Sequence, residues 1–318
     1  MRKIAVLTSG GDAPGMNAAI RAVVRAGIYS GFQVFGVMRG LQGLIQGDWQ
    51  AMNLGSVADI IHRGGTVLKT SRSEEFMEIK GRVTAYRNLQ RAGIDNLAII
   101  GGNGSLTGGW EISKLGVNVI GIPATIDNDI AETTSIGFDT AVNTVADAIN
   151  RIRDTASSHG RVFIIEVMGR HCGEIALSAG VAGGAESILI PEINNDLREV
   201  VNKIKQGAKR GKLYSIVLVA EGAGSTYEIK EILAEQTGMD VKVIILGHIQ
   251  RGGTPSAADR ILASAMGKAA VDNISEGKRN VMMAGDCHNI EGVSLEGALN
   301  KNRQVRNDLV ALARVLST

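Results

Sequence analysis

Five apolar runs of this chain lead into glycine. Ile4–Leu7 runs into Thr8-Ser9-Gly10-Gly11, Leu97–Ile100 into Gly101-Gly102-Asn103-Gly104-Ser105, and Val162–Val167 into Met168-Gly169-Arg170. Ser215–Ala220 runs into Glu221-Gly222, and Val243–Leu246 into Gly247-His248. Glycine makes up 41 of 318 residues, well above the usual roughly 7%. Short, near-continuous apolar runs read as strands buried on both faces. Helical spacing separates them: Met16, Ala19, Ile20, Val23 and Val24, then Leu197–Ala208 and Asp259–Ala270. This alternation predicts an α/β protein whose sheets are mostly parallel and helix-covered, long enough for two doubly wound domains. Further strands are expected at Phe32–Met38, Val119–Ile122 and Ser187–Ile190. Helices are expected from about Thr107, and from an N-cap at Asp139 to about Arg153-Asp154.

In such sheets ligands bind outside the carboxyl ends of the strands, so the residues there carry the function. The stretch Ser9–Gly15 leads from a strand into a helix and exposes bare amides at its N-terminus. That geometry cradles phosphate, or simply makes a tight turn. It is neither a Walker loop nor the G-x-G-x-x-G dinucleotide turn. Gly101–Ser105 repeats the plan. Arg72, after Arg63-Gly64-Gly65-Thr66, either bridges phosphate oxygens or lies on the surface. Arg21 and Arg25, four apart on one helix, read first as a solvated face. Pro123–Ile130 follows the Val119–Ile122 strand and sets Asp127 and Asp129 two residues apart. Such carboxylates take a proton from a hydroxyl, hold a metal ion, or cap a helix. The later strand ends add Arg161, Arg170, Glu221, His248 and Arg251. Amide loops suit a polyphosphate, and cations with a glutamate suit a phosphorylated polyol. With Asp127 as base, the set describes phosphoryl transfer.

Composition excludes other classes. The 34 basic and 32 acidic residues nearly cancel, and aromatics are only 3%, so no nucleic-acid platform is expected. No apolar run reaches the roughly 18 residues of a membrane span, and Ile4–Leu7 is too short for a signal peptide. Cys172 and Cys287 form no metal spacing, which fits a reducing cytoplasm.

Together SGGDAPGMNA, the GG-x-GS loop, PATIDND, MGRHCG and GHIQRGGTP followed by DRILA resemble the bacterial ATP-dependent 6-phosphofructokinases, over about residues 1–270. The resemblance implies two α/β domains, residues 1–138 plus 252–303 for ATP and 139–251 plus 304–318 for fructose 6-phosphate, in a cytoplasmic homotetramer. It implies magnesium-dependent transfer of the ATP γ-phosphoryl group to the sugar 1-hydroxyl, a step of glycolysis. Gly11, Arg72, Gly102, Asn103, Gly104 and Ser105 then hold ATP; Asn103 and Asp129 face the metal. Thr125, Asp127 and Asp129 meet the sugar, with Thr125, Arg170 and Arg72 assisting the base Asp127. Met168, Gly169, Arg170, Glu221, His248 and Arg251 hold fructose 6-phosphate, joined by Arg161 and Lys242 from a neighbouring subunit. Arg21, Arg25, Arg153, Glu186, Arg210 and Lys212 match an effector site for ADP and phosphoenolpyruvate.

Three residues depart from the family pattern: Asn103 for aspartate, Ala124 for glycine and Lys242 for arginine. Asn103 loses a negative charge at the metal, and Lys242 loses the bidentate fork. Asn103 motivates one rival, a catalytically weak regulatory paralogue. A second rival, a pyrophosphate-dependent phosphotransferase, carries aspartate at 104 and lysine at 124 in its family. Gly104 and Ala124 match neither, and a dinucleotide-dependent oxidoreductase lacks its turn.

Overall fold

The computed structural model describes residues 2–317. It divides the chain into two compact units: Met1–Thr125, Asp129–Asp139 and Arg251–Arg303 in the first, and Ile126–Asn128, Thr140–Gln250 and Gln304–Thr318 in the second. Asp127 therefore belongs to the second unit and Asp129 to the first.

The first unit holds β1 (Lys3–Ser9), β2 (Gln33–Val37), β3 (Trp49–Met52), β4 (Asn96–Gly101) and β5 (Asn118–Pro123). The second holds β6 (Val162–Val167), β7 (Ser187–Leu189), β8 (Ser215–Ala220) and β9 (Val241–Ile245). The chain returns to the first unit for β10 (Val281–Gly285) and β11 (Ile290–Ser294). Among the described residues the first sheet runs β11-β10-β5-β4-β1-β2-β3 and the second β7-β8-β6-β9. Every pairing is parallel except β2–β3 and β10–β11, which close the two edges of the first sheet. This is the α/β architecture that the strand and glycine pattern predicts.

The central strands are apolar throughout because both faces are covered. Ile4, Ala5, Val6 and Leu7 are fully buried, as are Leu97 to Ile100 and Ile216 to Ala220. One core gathers Leu7, Leu44, Phe76, Leu89, Ile99, Leu106 and Met282, and the other Val162, Ile164, Ile204, Val217 and Leu233. Covering helices include Met16–Tyr29 and Ala257–Ser275, which pack so closely that a Cβ on Gly267 would meet that of Ala22 at 2.6 Å.

The structure corrects several local expectations. The helix after β4 begins at Asn103, not Thr107. The helix Phe138–His159 runs past Asp154, and Asp139 lies inside its first turn, not at its cap; a hydroxyl bond from Ser256 occupies its Oδ2. Ile190 and Leu246 lie outside β7 and β9. The strands β3, β10 and β11 were not expected from the sequence.

Strand order decides where a ligand fits. In the first sheet β2 lies on one side of β1 and β4 on the other, so the chain reverses direction at the β1/β4 boundary. In the second, β6 lies between β8 and β9. Such reversals open a crevice at the carboxyl ends of the strands.

Candidate active site

In the first unit, register alone brings three predicted segments together. Ser9 pairs with Gly101, and Gly101 with Pro123, so the loops after β1, β4 and β5 start side by side. A Cβ on Gly101 would sit 2.6 Å from the Ser9 carbonyl, which explains the glycine there. Gly102 precedes the helix Asn103–Ser113, which has no side-chain cap, and among the described residues nothing outside the helix's own turn lies within 4 Å of where a Gly104 Cβ would be. Uncapped amides beneath open space are able to receive an anion, and the helix dipole favours negative charge there. Ser105 is buried beneath, with its Oγ near Gly10.

The Thr70–Arg72 segment is tied to the first loop by the Thr70 hydroxyl, which donates to the Gly10 carbonyl at 2.8 Å. Arg72 itself is exposed. Arg251 lies over Gly11, and its Nη2 donates to the Asp12 carbonyl at 3.3 Å and approaches Asp12 Oδ1 at 3.7 Å. The sequence assigned Arg251 to the sugar phosphate; here it packs on the loop expected to hold nucleotide.

Asn103 Nδ2 donates to the Asp129 carbonyl and to its Oδ2, each at 3.4 Å. Asp129 Oδ1 is buried with no hydrogen-bond partner among the described residues. A buried carboxylate oxygen without a donor fits a cation ligand. Magnesium characteristically takes one or two carboxylates and completes its shell with substrate phosphates and water. The Thr125 amide donates to Ile136 O at 3.1 Å, and the space above Gly102 is bounded by the Thr125 side chain.

In the second unit Asp127 is buried, and its Oδ2 lies 3.6 Å from Arg170 Nε. Arg170 has φ 54°, in the left-handed region costly for a side chain that is not glycine. Glu221 holds it there: one carboxylate oxygen accepts the amides of Gly169 at 3.2 Å and Arg170 at 2.7 Å. Any side chain on Gly222 would collide with the Arg170 carbonyl. The guanidinium itself stays largely exposed beside a buried carboxylate. A strained, doubly anchored arginine is a common sign of a working site.

Met168 donates its amide to Gln250 Oε1 at 3.2 Å, and Gln250 Nε2 donates to the Gly247 carbonyl at 3.0 Å. The fully buried Gln250 thus couples the ends of β6 and β9, and the exposed His248 lies in the short turn between Gly247 and Gln250. Sequence reasoning passed over Gln250; a lone amide between glycines after an apolar strand was the available signal.

Arg161 and Lys242 converge on Asp240, each at 2.9 Å. The Lys242 ammonium, hydrogen-bonded to it, holds the Asp240 carboxyl below the usual carboxylate range, with a smaller contribution from Arg161. The residues expected for an effector are divided. Arg21 and Arg25 lie on the helix Met16–Tyr29 of the first unit, half-buried and exposed. In the second unit the Glu186 carboxylate accepts from Lys212 Nζ and from the Ile216 amide, at 2.6 Å for the latter. Arg153 donates to the carbonyls of Gly183 and Gly184, and Arg210 ends the helix Leu197–Lys209.

The first unit therefore offers amides and an unpaired carboxylate oxygen, and the second a buried aspartate against an arginine. Residues 3–274 match the phosphofructokinase family model. A Halothermothrix orenii protein named ATP-dependent 6-phosphofructokinase is 54% identical over the whole of both chains. The Bacillus subtilis protein of that name is 56% identical over 87% of this chain and 88% of its own. The structure of phosphofructokinase from Saccharomyces cerevisiae superposes with a TM-score of 0.88 and 36% identity, covering 99% of this chain and 47% of the yeast chain, so this chain spans about half of that one. A pyrophosphate-dependent phosphofructokinase from Marinobacter aquaeolei superposes at TM-score 0.85 with 23% identity over 97% of this chain and 86% of its own, which speaks for the fold alone. By these matches and by its strand-end residues, the chain belongs to the phosphofructokinase family.

Proposed function

We infer that this chain is an ATP-dependent 6-phosphofructokinase, a glycolytic kinase that phosphorylates the 1-hydroxyl of fructose 6-phosphate. The observation that carries the reading is Asp127: a buried carboxylate at a strand's carboxyl end, against an arginine whose backbone is held in a strained conformation. The relatives' names supply the substrates.

In this reading Asp127 takes the proton of the sugar hydroxyl as its oxygen bonds to the γ-phosphorus of ATP and the bond to the ADP oxygen breaks. Arg170 offsets charge on the transferring group, and Thr125 orients the hydroxyl. The first unit binds ATP through Gly11, Arg72 and Gly102–Ser105. The second binds the sugar phosphate through Met168, Gly169, Arg170, Glu221 and His248. Asn103 and Asp129 are the residues that would hold magnesium, which would supply neutralising charge to the phosphates. The resemblance assigns Arg251 to the sugar site as well. The open space above Gly104 favours the nucleotide over pyrophosphate. We also propose a homotetramer in which Arg161 and Lys242 serve a neighbour's site. Its effectors are ADP and phosphoenolpyruvate, held by Arg21, Arg25, Arg153, Glu186, Arg210 and Lys212. Among the described residues no helix is long and apolar enough to cross a membrane.

A coupled assay with fructose 6-phosphate and either ATP or pyrophosphate, across a magnesium titration, tests the reading. ATP-dependent turnover is expected. Turnover with pyrophosphate alone overturns the donor, and none with either overturns the kinase. In the same titration, Asn103→Asp is expected to lower the magnesium concentration for half-maximal rate by about tenfold, since ligand charge tunes affinity. An unchanged midpoint would remove Asn103 from the metal site.

A further inference from the structure

Between the two aspartates lies Asn128, and it is held by a carboxylate to which the mechanism above gives no part. Asn128 is 1% exposed and has φ 52°, a left-handed conformation that asparagine adopts more readily than most residues. Its Nδ2 donates to Glu174 Oε2 at 3.3 Å, and Glu174 is itself 3% exposed. Both residues belong to the second unit, with Asp127 and Arg170.

We propose that Glu174 is a positioning residue for Asp127, acting through Asn128. The argument rests on the functional reading above, in which Asp127 is the base. Asp127 follows a flexible kind of geometry, a turn, yet a base must meet its hydroxyl within hydrogen-bond reach. A left-handed residue next to it sets the direction of the Asp127 carboxylate, and that conformation persists only if something fixes it. Glu174 does so from a rigid base. It is the first residue of the helix Glu174–Gly183, whose next residues Ile175, Ala176 and Leu177 are buried. The preceding Gly173 is fixed too, its amide donating to Glu192 Oε1 at 2.7 Å. A carboxylate in the first turn also agrees with the helix dipole. The stretch from Arg170 to Glu174 thus controls Asp127 twice: Arg170 touches its carboxylate, and Glu174 holds the residue beside it.

The test is a cycle of variants in the full-length protein, assayed with ATP and fructose 6-phosphate. Glu174→Ala is expected to lower kcat by about 10- to 100-fold with both KM values within about threefold, the signature of a displaced catalytic group. Glu174→Gln keeps an acceptor oxygen at the same reach and is expected to restore kcat to within about threefold of the parent. Asn128→Gly accepts the left-handed backbone but loses the hydrogen bond, and is expected to lose kcat like Glu174→Ala. The double variant is expected to be no worse than the weaker single, because both act along one path. Multiplying losses, or a Gln variant as slow as the Ala variant, overturn the proposal. Should Glu174→Ala fail to fold, Asn128→Gly decides alone, and an unchanged kcat there overturns it. An inactive parent protein overturns the kinase reading instead, and the positioning role with it.

Discussion

Asp127→Asn is expected to lower kcat by about 10²- to 10⁴-fold, the contribution of a positioned general base. Asparagine matches the shape of the buried side chain and keeps an oxygen toward Arg170, so neither folding nor the KM for fructose 6-phosphate should change more than a few-fold. What disappears is the site that receives the hydroxyl proton. Steady-state rates, together with a direct measurement of fructose 6-phosphate affinity, separate these terms. A kcat within threefold of the parent would remove Asp127 as base and return the carboxylate to a structural role. The family's fold would stand; the mechanism would not.

The second large effect concerns Arg170. Arg170→Ala is expected to reduce kcat/KM for fructose 6-phosphate by about 10²- to 10³-fold, the scale seen when one charge-stabilising group is lost from an active site. Its side chain is 67% exposed, so the loss cannot come from an emptied core. Backbone strain supplies the control. At φ 54° alanine pays the roughly 1–2 kcal/mol left-handed penalty, and glycine does not. Arg170→Gly should therefore be at least as stable as Arg170→Ala in thermal unfolding, yet equally impaired. If the glycine variant regained activity, the arginine would matter for the shape of its loop and not for its charge. Glu221 enters both variants in the same way, since it binds backbone amides that neither substitution removes.

These variants separate chemistry from architecture, and the molecule keeps the two apart as well. The anion site proposed for the first unit uses backbone amides, so few single side-chain changes are expected to erase it. In the second unit the side chains of Glu221, Gln250 and Glu174 hold the segments that carry Arg170, Met168 and Asn128, so there one substitution is expected to reach far. That difference predicts that activity will be lost more steeply by changes around Arg170 than by changes around Arg72.

Local sequence was enough for β1, β2 and β4 to β9 but not for β3, β10 and β11. Ile4–Leu7, Leu97–Ile100 and Ile216–Val219 are apolar at every position because both faces of a central parallel strand are covered, and glycine follows because the loop must turn closely. Where only one face is covered that signal fails. β3 and β11 are edge strands with exposed or half-exposed residues, and their sequences WQAM and IEGVS show no long apolar run. The sequence sets the start of the helix Asn103–Ser113 late because Gly101, Gly102 and Gly104 look like loop. Gly109 in fact lets the helix approach Ile99 and Val119, and Gly104 faces open space.

The sequence by itself determined the alternating architecture, the strand ends where the candidate site residues lie, and, through its motifs, the family. Only the tertiary structure decided which of those residues touch. It put Asp127 and Asp129, two residues apart, into different units, one against Arg170 and the other against Asn103. It laid Arg251 over a loop 239 residues away, and joined Asn128 to Glu174 across 46. Periodicity reports how one segment meets water or core. Partners far along the chain are set by strand order and register, which no local pattern encodes.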